Sequence, residues 1–216
     1  LQKIIQPTIG IFTTIGEAHS EGFLNIRQKV NEKMRLFTHV KTLVYCKDAP
    51  EINEGVAQLW QQLHRGQEES AFEIFSWSML TEATLQVLTI YKEEGKTFIT
   101  AIYKGENISI TIPFTDNASV ENAIQCWCVM LHLGMQHTLI DERMQQLSHV
   151  AMRLELKKGI NNCSVINDSY SADLSSFNIA LDFLSQQHQH PKRTVILSDI
   201  LQSGRNEKDL YTELAR

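Results

Sequence analysis

The feature that most constrains this chain is an apolar run that ends in a charged turn and leads into a helix. Residues 9–12 are apolar, and residues 14–23 carry a histidine and two glutamates. Apolar residues then recur at the spacing of a helix with one buried face, at Ile26, Val30, Met34 and Phe37. Lys33 lies at the edge of that apolar stripe. A lysine there, close to a His/Glu pair, indicates a site for an anionic ligand or a metal.

The first half of the chain continues with strand and helix patterns and then becomes rich in strands. Strands are predicted at 8–14 and 42–46, and helices at 25–37 and 51–64. Four short runs with apolar alternation follow, at 73–77, 84–91, 97–103 and 108–113. Glycine-containing turns at 94–96 and 104–107 predict hairpins between the later runs.

The second half returns to helices and then to alternating strands and helices. Helices are predicted at 119–134, with Gly134 as the C-cap, and at 142–150. Beyond residue 152 the pattern predicts strands at 165–166 and 194–197 and helices at 175–187 and from Glu207. The whole pattern is that of an α/β protein with a boundary near residue 152.

Composition excludes several classes of protein. The net charge of −5 over 216 residues comes with no basic stripe, which argues against a nucleic-acid partner. No apolar run approaches the roughly 20 residues that a membrane-spanning helix needs. The four cysteines show no paired spacing, so free thiols in a cytoplasmic protein are expected. Trp60, Trp77 and Trp127 lie among apolar neighbours and predict core positions.

Three segments, in order, resemble the Mur ligases, the ATP-dependent amide ligases of peptidoglycan synthesis. From residue 13 the chain reads Thr-x-Ile-Gly-x-Ala-His-x-Glu-x-Phe, and Lys33 follows fourteen residues after the histidine. Residues 152–155 (Met-Arg-Leu-Glu) lead into 165–172 (Val-Ile-Asn-Asp-Ser-Tyr-Ser-Ala), and the third segment is residues 195–204. The Ser-Tyr pair after Asp168 resembles the branch that adds D-alanyl-D-alanine.

The resemblance implies two domains. Residues 1–152 correspond to a P-loop-NTPase-like central ATP-binding domain with an antiparallel β-rich portion. Residues 153–216 correspond to the start of a Rossmann-like C-terminal domain. The chain contains no Gly-x-x-x-x-Gly-Lys-Ser/Thr loop, whose backbone amides cradle phosphates. We therefore expect a fragment that lacks the P-loop strand and is inactive alone.

The resemblance also implies a magnesium site. His19 matches the family histidine that binds Mg²⁺ near the γ-phosphate of ATP, and Glu21 is a nearby acidic position. Lys33 matches a lysine that is commonly carbamylated and helps to hold a second Mg²⁺. Burial favours the neutral amine that captures carbon dioxide, and the carbamate is an oxygen ligand suited to magnesium. Periodicity alone favours a different interpretation of Lys33, a lysine whose stem packs while its head stays in water, and the matched motif is what favours the metal role.

Three further residues match nucleotide-binding positions. Arg153 matches an arginine that reaches the ATP phosphates, Asp168 an aspartate that contacts the nucleotide, and Asn122 an asparagine near the adenine. An asparagine near a helix start is also a common N-cap. The chain departs from the family pattern at Ala118 and Ser119 before Asn122, at Asn167 before Asp168, and at Asp173-Leu174 after it, and Glu17 is a further departure.

The implied activity is addition of D-alanyl-D-alanine to a UDP-N-acetylmuramoyl-tripeptide, with ATP and Mg²⁺. Some relatives fuse this ligase to an alanine racemase, so a fused racemase domain is a possible partner. Two alternatives stay open. One is a folylpolyglutamate-synthetase-like or other Mur ligase, and the other is a degenerate, non-catalytic module within a larger protein. The residues preceding Leu1 would distinguish an intact phosphate loop from an eroded one.

Overall fold

A computed structural model describes residues 2–16, 22–64, 72–148, 153–170, 173–200, 203 and 205–215. The chain divides into two compact units. The first comprises Leu1–Ile15 and Asn25–Leu147, and the second comprises Gly16–Leu24 and Ser148–Arg216. The boundary between residues 147 and 148 lies near the boundary predicted at residue 152. The second unit also includes Gly16–Leu24, which the sequence analysis assigned to the first domain. The family partition at residue 152 stays a prediction.

The first unit is built on a six-stranded mixed sheet in the order β1-β2-β3-β4-β5-β6. The strands are β1 (Ile9–Phe12), β2 (Thr42–Cys46), β3 (Glu73–Ser78), β4 (Leu85–Glu93), β5 (Lys96–Tyr103) and β6 (Glu106–Ile112). β1 to β4 pair in parallel, the last pair only through Trp77↔Leu85 and Ser78↔Gln86. β4, β5 and β6 form an antiparallel meander.

The two hairpins of the meander confirm the turns predicted from glycine. Glu94 and Gly95 have φ of +48° and +77°, and Lys104 and Gly105 have φ of +51° and +83°. Two-residue turns with positive φ at both positions match the right-handed twist of the strands, and glycine adopts that conformation without steric cost. The local sequence therefore determines this half of the sheet.

The helices of the first unit are α1 (Gln2–Ile5), α2 (Ile26–Met34), α3 (Pro50–Leu63), α4 (Asn117–His132) and α5 (His137–Gln145), with a 3₁₀ turn at Arg35–Phe37. Pro50 opens α3 as expected. The helix predicted at 142–150 is instead α5, which begins five residues earlier. The prediction followed the apolar residues near its end, whereas Ile140 and Met144 are the ones that pack.

Helices cover both faces of the parallel strands. Side chains alternate along β2, so Val44 joins a core with α4 and α5, whereas Leu43 and Tyr45 join a core with α2 and α3. Trp77 and Trp127 are buried as predicted. Trp60 is 38% exposed and stacks on His64 with ring centroids 3.8 Å apart, so the core prediction is wrong for it. Leu59 beside it is buried, but Gln61 and Gln62 follow it, and Trp60 lies on a more exposed side of α3.

The second unit contains β7 (Glu155–Lys158), β8 (Ser164–Asn167), α6 (Leu174–Ser185) and α7 (Glu207–Leu214). β7 and β8 pair antiparallel, with Glu155 opposite Asn167. Asp173 caps α6 through a reciprocal capping box with Ser176. The strand predicted at 194–197 does not form, and Ile196 is 96% exposed. A strand needs a hydrogen-bonded neighbour, and none of the described residues supplies one. The Rossmann-like sheet stays a prediction.

Candidate functional site

The carboxyl ends of the parallel strands form one edge of the first unit's sheet. β1 ends at Phe12, β2 at Cys46 and β3 at Ser78. Ligands of α/β proteins bind in the crevice at this edge, because loops there are free to vary while the strands hold them in place. The histidine turn predicted to bind metal follows β1 directly in the sequence.

A hydrogen-bond network joins the loops after β2 and β3. The Ser78 hydroxyl donates to one carboxylate oxygen of Asp48, and the Met79 N–H donates to the other at 2.7 Å. The same hydroxyl accepts the N–H groups of Leu80 (2.9 Å) and Thr81 (2.8 Å). Ser78 is fully buried. The network fixes two loops of this edge against each other.

Sequence reasoning missed this network. Residues 48–50 predict only a turn, and Ser78 carries no motif. The one indication in the sequence was position: Asp48 and Ser78 each come within two residues after a predicted strand, and the carboxyl ends of parallel strands meet at one edge of a sheet.

Helix α4 contributes a buried amide to the same edge. Gln125 is 3% exposed, and its side-chain N–H donates to the Phe12 carbonyl at 3.3 Å. Its amide oxygen has no partner in the described part of the chain. One turn earlier, burial raises the pKa of the Glu121 carboxyl, although the residue as a whole is solvent-exposed. Burial thus disfavours the charged form of this one carboxyl, which lies one helical turn before Gln125.

Cys46 shares this environment. Burial raises the pKa of its thiol from 9.0 to about 11, with the nearby Asp48 and Glu121 carboxylates raising it further and backbone hydrogen bonds opposing. The thiolate is the form that acts as nucleophile or metal ligand. Cys46 is therefore a neutral packing residue near neutral pH. All four cysteines are free.

Lys33 lies on α2 but is exposed. The buried residues of this helix are Lys29, Val30 and Met34, and Lys29 is only 4% exposed. The prediction that Lys33 lies on a core-facing edge of the helix is therefore wrong, because its side chain is exposed to solvent. Lys29 and Lys33 are four residues apart and therefore lie on the same side of the helix. Of the two, only Lys29 is buried, and Lys33 is exposed to solvent.

Of the predicted residues His19, Glu21 and Asn122, the structure describes only Asn122. His19 and Glu21 lie outside the described residues. Asn122 is exposed on α4, where the N-cap is Asp116, whose carboxylate accepts the Ser119 N–H at 2.7 Å. The capping interpretation of Asn122 is therefore wrong, and its adenine role stays a prediction. Within the described ranges, no group of three or more His, Cys, Asp or Glu side chains could hold a metal ion.

The second unit brings two predicted nucleotide residues together. Arg153 lies two residues before the start of β7, and Asp168 immediately follows β8, so the antiparallel pair places both at the same end. The Asp168 carboxylate accepts the Leu154 N–H at 3.1 Å. The Arg153 guanidinium carbon lies 4.2 Å from the ring centroid of Tyr170.

Asn167, which departs from the family pattern, has a local role. Its side-chain oxygen accepts the Ser169 hydroxyl at 2.8 Å and the Ser169 N–H at 3.3 Å. This is an Asx-type turn that bends the chain after β8. An aspartate would make the same bonds, so the substitution preserves the turn.

The family described as Mur ligase middle domain matches residues 1–130, which is more than half of the chain. The chain belongs to the Mur ligase family. Its mixed α/β fold with a largely parallel sheet confirms the predicted fold class of this middle domain.

Relatives and solved structures extend the similarity beyond residue 130. The UDP-N-acetylmuramoyl-tripeptide–D-alanyl-D-alanine ligase of Bacillus subtilis is 25% identical over 99% of this chain and 44% of its own length. The ligase of that name from Rickettsia prowazekii is 27% identical over 99% of the chain and 46% of its own length. A crystal structure of MurF ligase from Thermotoga maritima in complex with ADP has a TM-score of 0.72 at 17% identity, covering 99% of this chain and 47% of that one.

The chain thus spans less than half the length of the curated relatives it matches. The apo form of the folylpolyglutamate synthetase (FPGS) of L. casei shares the fold at a TM-score of 0.64 and 14% identity. None of the helices among the described residues is both long and apolar enough to cross a membrane.

Proposed function

We propose that this chain is part of a cytoplasmic, ATP-dependent ligase that adds D-alanyl-D-alanine to a UDP-N-acetylmuramoyl-tripeptide. The observation that carries the proposal is that relatives of that name align with 99% of the chain, through both units. A match confined to the middle domain would support only the family. A fused racemase domain stays a prediction from the resemblance.

The reaction follows from the chemistry of amide formation. The C-terminal carboxylate of the tripeptide attacks the γ-phosphorus of ATP, which forms an acyl phosphate and releases ADP. The amine of D-alanyl-D-alanine then attacks the acyl carbon, and the tetrahedral intermediate expels inorganic phosphate and leaves the amide. Phosphoryl transfer depends mainly on positioning and on stabilising charge at the phosphoryl oxygens.

Arg153 and Asp168 supply the nucleotide contacts in this proposal. A guanidinium is always charged and binds phosphate oxygens through two parallel hydrogen bonds. Asp168 accepts a ribose hydroxyl in addition to the Leu154 N–H, which its carboxylate accepts at 3.1 Å. Asn122 lies near the adenine. The exposed position of Asn122 and Arg153 is compatible with contact to a ligand.

The resemblance implies that three residues of this chain hold magnesium. When bound, Mg²⁺ neutralises charge that develops on the phosphoryl oxygens. His19, Glu21 and a carbamate on Lys33 would hold it. Carbamylation requires the neutral amine that burial favours, and Lys33 is exposed, so the described residues alone do not supply that setting. The metal roles rest on the resemblance.

The test is phosphate release by the full-length protein, given ATP and Mg²⁺ with a panel of acceptors. We expect release that requires both the tripeptide nucleotide and D-alanyl-D-alanine. The fold shared with folylpolyglutamate synthetase makes folate plus glutamate the necessary second arm. Release with folate and glutamate alone would assign that activity instead. No release in any arm, from a folded protein, would favour the non-catalytic module.

A further inference from the structure

The contact between Arg153 and Tyr170 is an arginine–aromatic stack. The guanidinium carbon is 4.2 Å from the ring centroid, well inside the roughly 6 Å within which a cation is attracted to an aromatic face. Both residues are exposed, and the Tyr170 residue retains 62% of its accessible surface. The stack is therefore not a by-product of packing in a core.

The backbone around the stack is held in an uncommon conformation. Leu154, between Arg153 and β7, has φ of +46°, in the left-handed region that side chains other than glycine rarely adopt. Such conformations persist where the surroundings determine them. Here the Leu154 N–H is bound by Asp168, the Leu154 side chain is buried, and the β7–β8 pairing begins at the next residue. These contacts fix where Arg153 leaves the backbone.

The chemistry of the partner decides what the arginine can still bind. A carboxylate partner would take two of the guanidinium N–H donors and neutralise its charge. A ring contacts the flat face instead, and the five N–H donors point outward in the plane. Arg153 takes part in none of the ion pairs found among the described residues. Its donors and its charge thus remain available to phosphate.

We propose that Tyr170 is a positioning residue that holds the Arg153 guanidinium flat against its ring, with the donor edge presented to the phosphates of ATP. The inference rests on the proposed nucleotide role of Arg153. Tyr170 contacts the arginine and acts on the nucleotide only through it.

The test measures the dissociation constant for ATP in the full-length protein by calorimetry, with matched variants of Tyr170. Tyr170→Phe keeps the ring and loses the hydroxyl, so affinity stays within error of the wild type. Tyr170→Leu keeps apolar bulk and loses the ring, so affinity falls about two- to fivefold, as expected for an exposed cation–π contact. Tyr170→Trp retains wild-type affinity or improves on it. Equal losses in the Phe and Leu variants would assign the effect to the hydroxyl and overturn the proposal.

A double-mutant cycle separates this inference from the proposed function. Arg153→Ala weakens ATP binding by about 10-fold or more, because hydrogen bonds between charged groups are lost. In that background Tyr170→Leu has no further effect. If Arg153→Ala leaves ATP affinity unchanged, the nucleotide role of Arg153 and the positioning role of Tyr170 both fail. If Arg153→Ala weakens binding but Tyr170→Leu does not, only the positioning role fails. Unchanged thermal unfolding midpoints check that each variant is folded.

Discussion

At the scale of single residues, periodicity identified which side of a helix packs against the protein. It did not identify which residues on that side are buried. Lys33 and Lys29 occupy the same side of α2, and only the structure shows that Lys29 is the buried one. Arg153 and Asp168 were found by resemblance, and their proximity follows from the β7–β8 pairing. The left-handed Leu154 could not be anticipated, because nothing in its own identity favours that conformation.

We expect Lys33→Ala to lower turnover of the full-length enzyme by about 10- to 100-fold, the range seen when a group that supports a metal is removed. Added short carboxylates that replace the carbamate should restore part of the activity. Lys96→Ala, at an exposed lysine in the β4–β5 hairpin, is the matched control and should have wild-type turnover. Wild-type turnover of Lys33→Ala would remove Lys33 from the mechanism.

The Cys46 thiol should make stability depend on pH in the alkaline range. Its pKa is about 11 in the folded protein and 9.0 ordinarily. Between these values the unfolded chain loses the proton while the folded chain keeps it, so the free energy of unfolding falls as pH rises. Because Cys46 is only half-buried, we expect about 1–2 kcal/mol rather than the full value of the shift.

The measurement is urea unfolding at pH 8 and at pH 11 for the wild type and for Cys46→Ala. Tyr45 and Cys128 also have raised pKa values, so both proteins should lose stability. The variant should lose less than the wild type. An identical loss in the two proteins would show that Cys46 does not carry this linkage.

At the scale of elements, the sequence predicted what local chemistry determines. The β4–β5 and β5–β6 hairpins depend on turn residues within each segment, and α4 was predicted within two residues at each end. The Asp48–Ser78 network joins residues 30 positions apart, so no local pattern could reveal it. The strand predicted at 194–197 does not form, because a strand depends on a neighbouring strand as well as on its own residues.

Removal of the Ser78 hydroxyl tests the network. Ser78→Ala removes a fully buried hydroxyl that donates to Asp48 and accepts the N–H groups of Leu80 and Thr81, and it should lower the free energy of unfolding by about 1–3 kcal/mol. Ser109→Ala, on the exposed side of β6, should change it by less than about 0.5 kcal/mol. Chemical denaturation of both variants provides the comparison. If Ser78→Ala were as stable as Ser109→Ala, the network would contribute nothing to stability.

At the scale of the whole molecule, the chain consists of the family's middle domain and a second unit that contains Arg153 and Asp168. The fold class and the family could be predicted because three motifs occur in order along the sequence. The composition of the complete site could not, because the sequence contains no Gly-x-x-x-x-Gly-Lys-Ser/Thr loop and because the metal roles of His19 and Glu21 rest on the resemblance.

The most direct measurement follows an isotope through the reaction of the full-length protein. The tripeptide nucleotide carries ¹⁸O in its C-terminal carboxylate and is incubated with ATP, Mg²⁺ and D-alanyl-D-alanine. If an acyl phosphate forms, one labelled oxygen passes to the released phosphate, and mass spectrometry detects the UDP-linked pentapeptide. Pentapeptide formed together with unlabelled phosphate would contradict the acyl-phosphate route, and the absence of pentapeptide would contradict the ligase assignment.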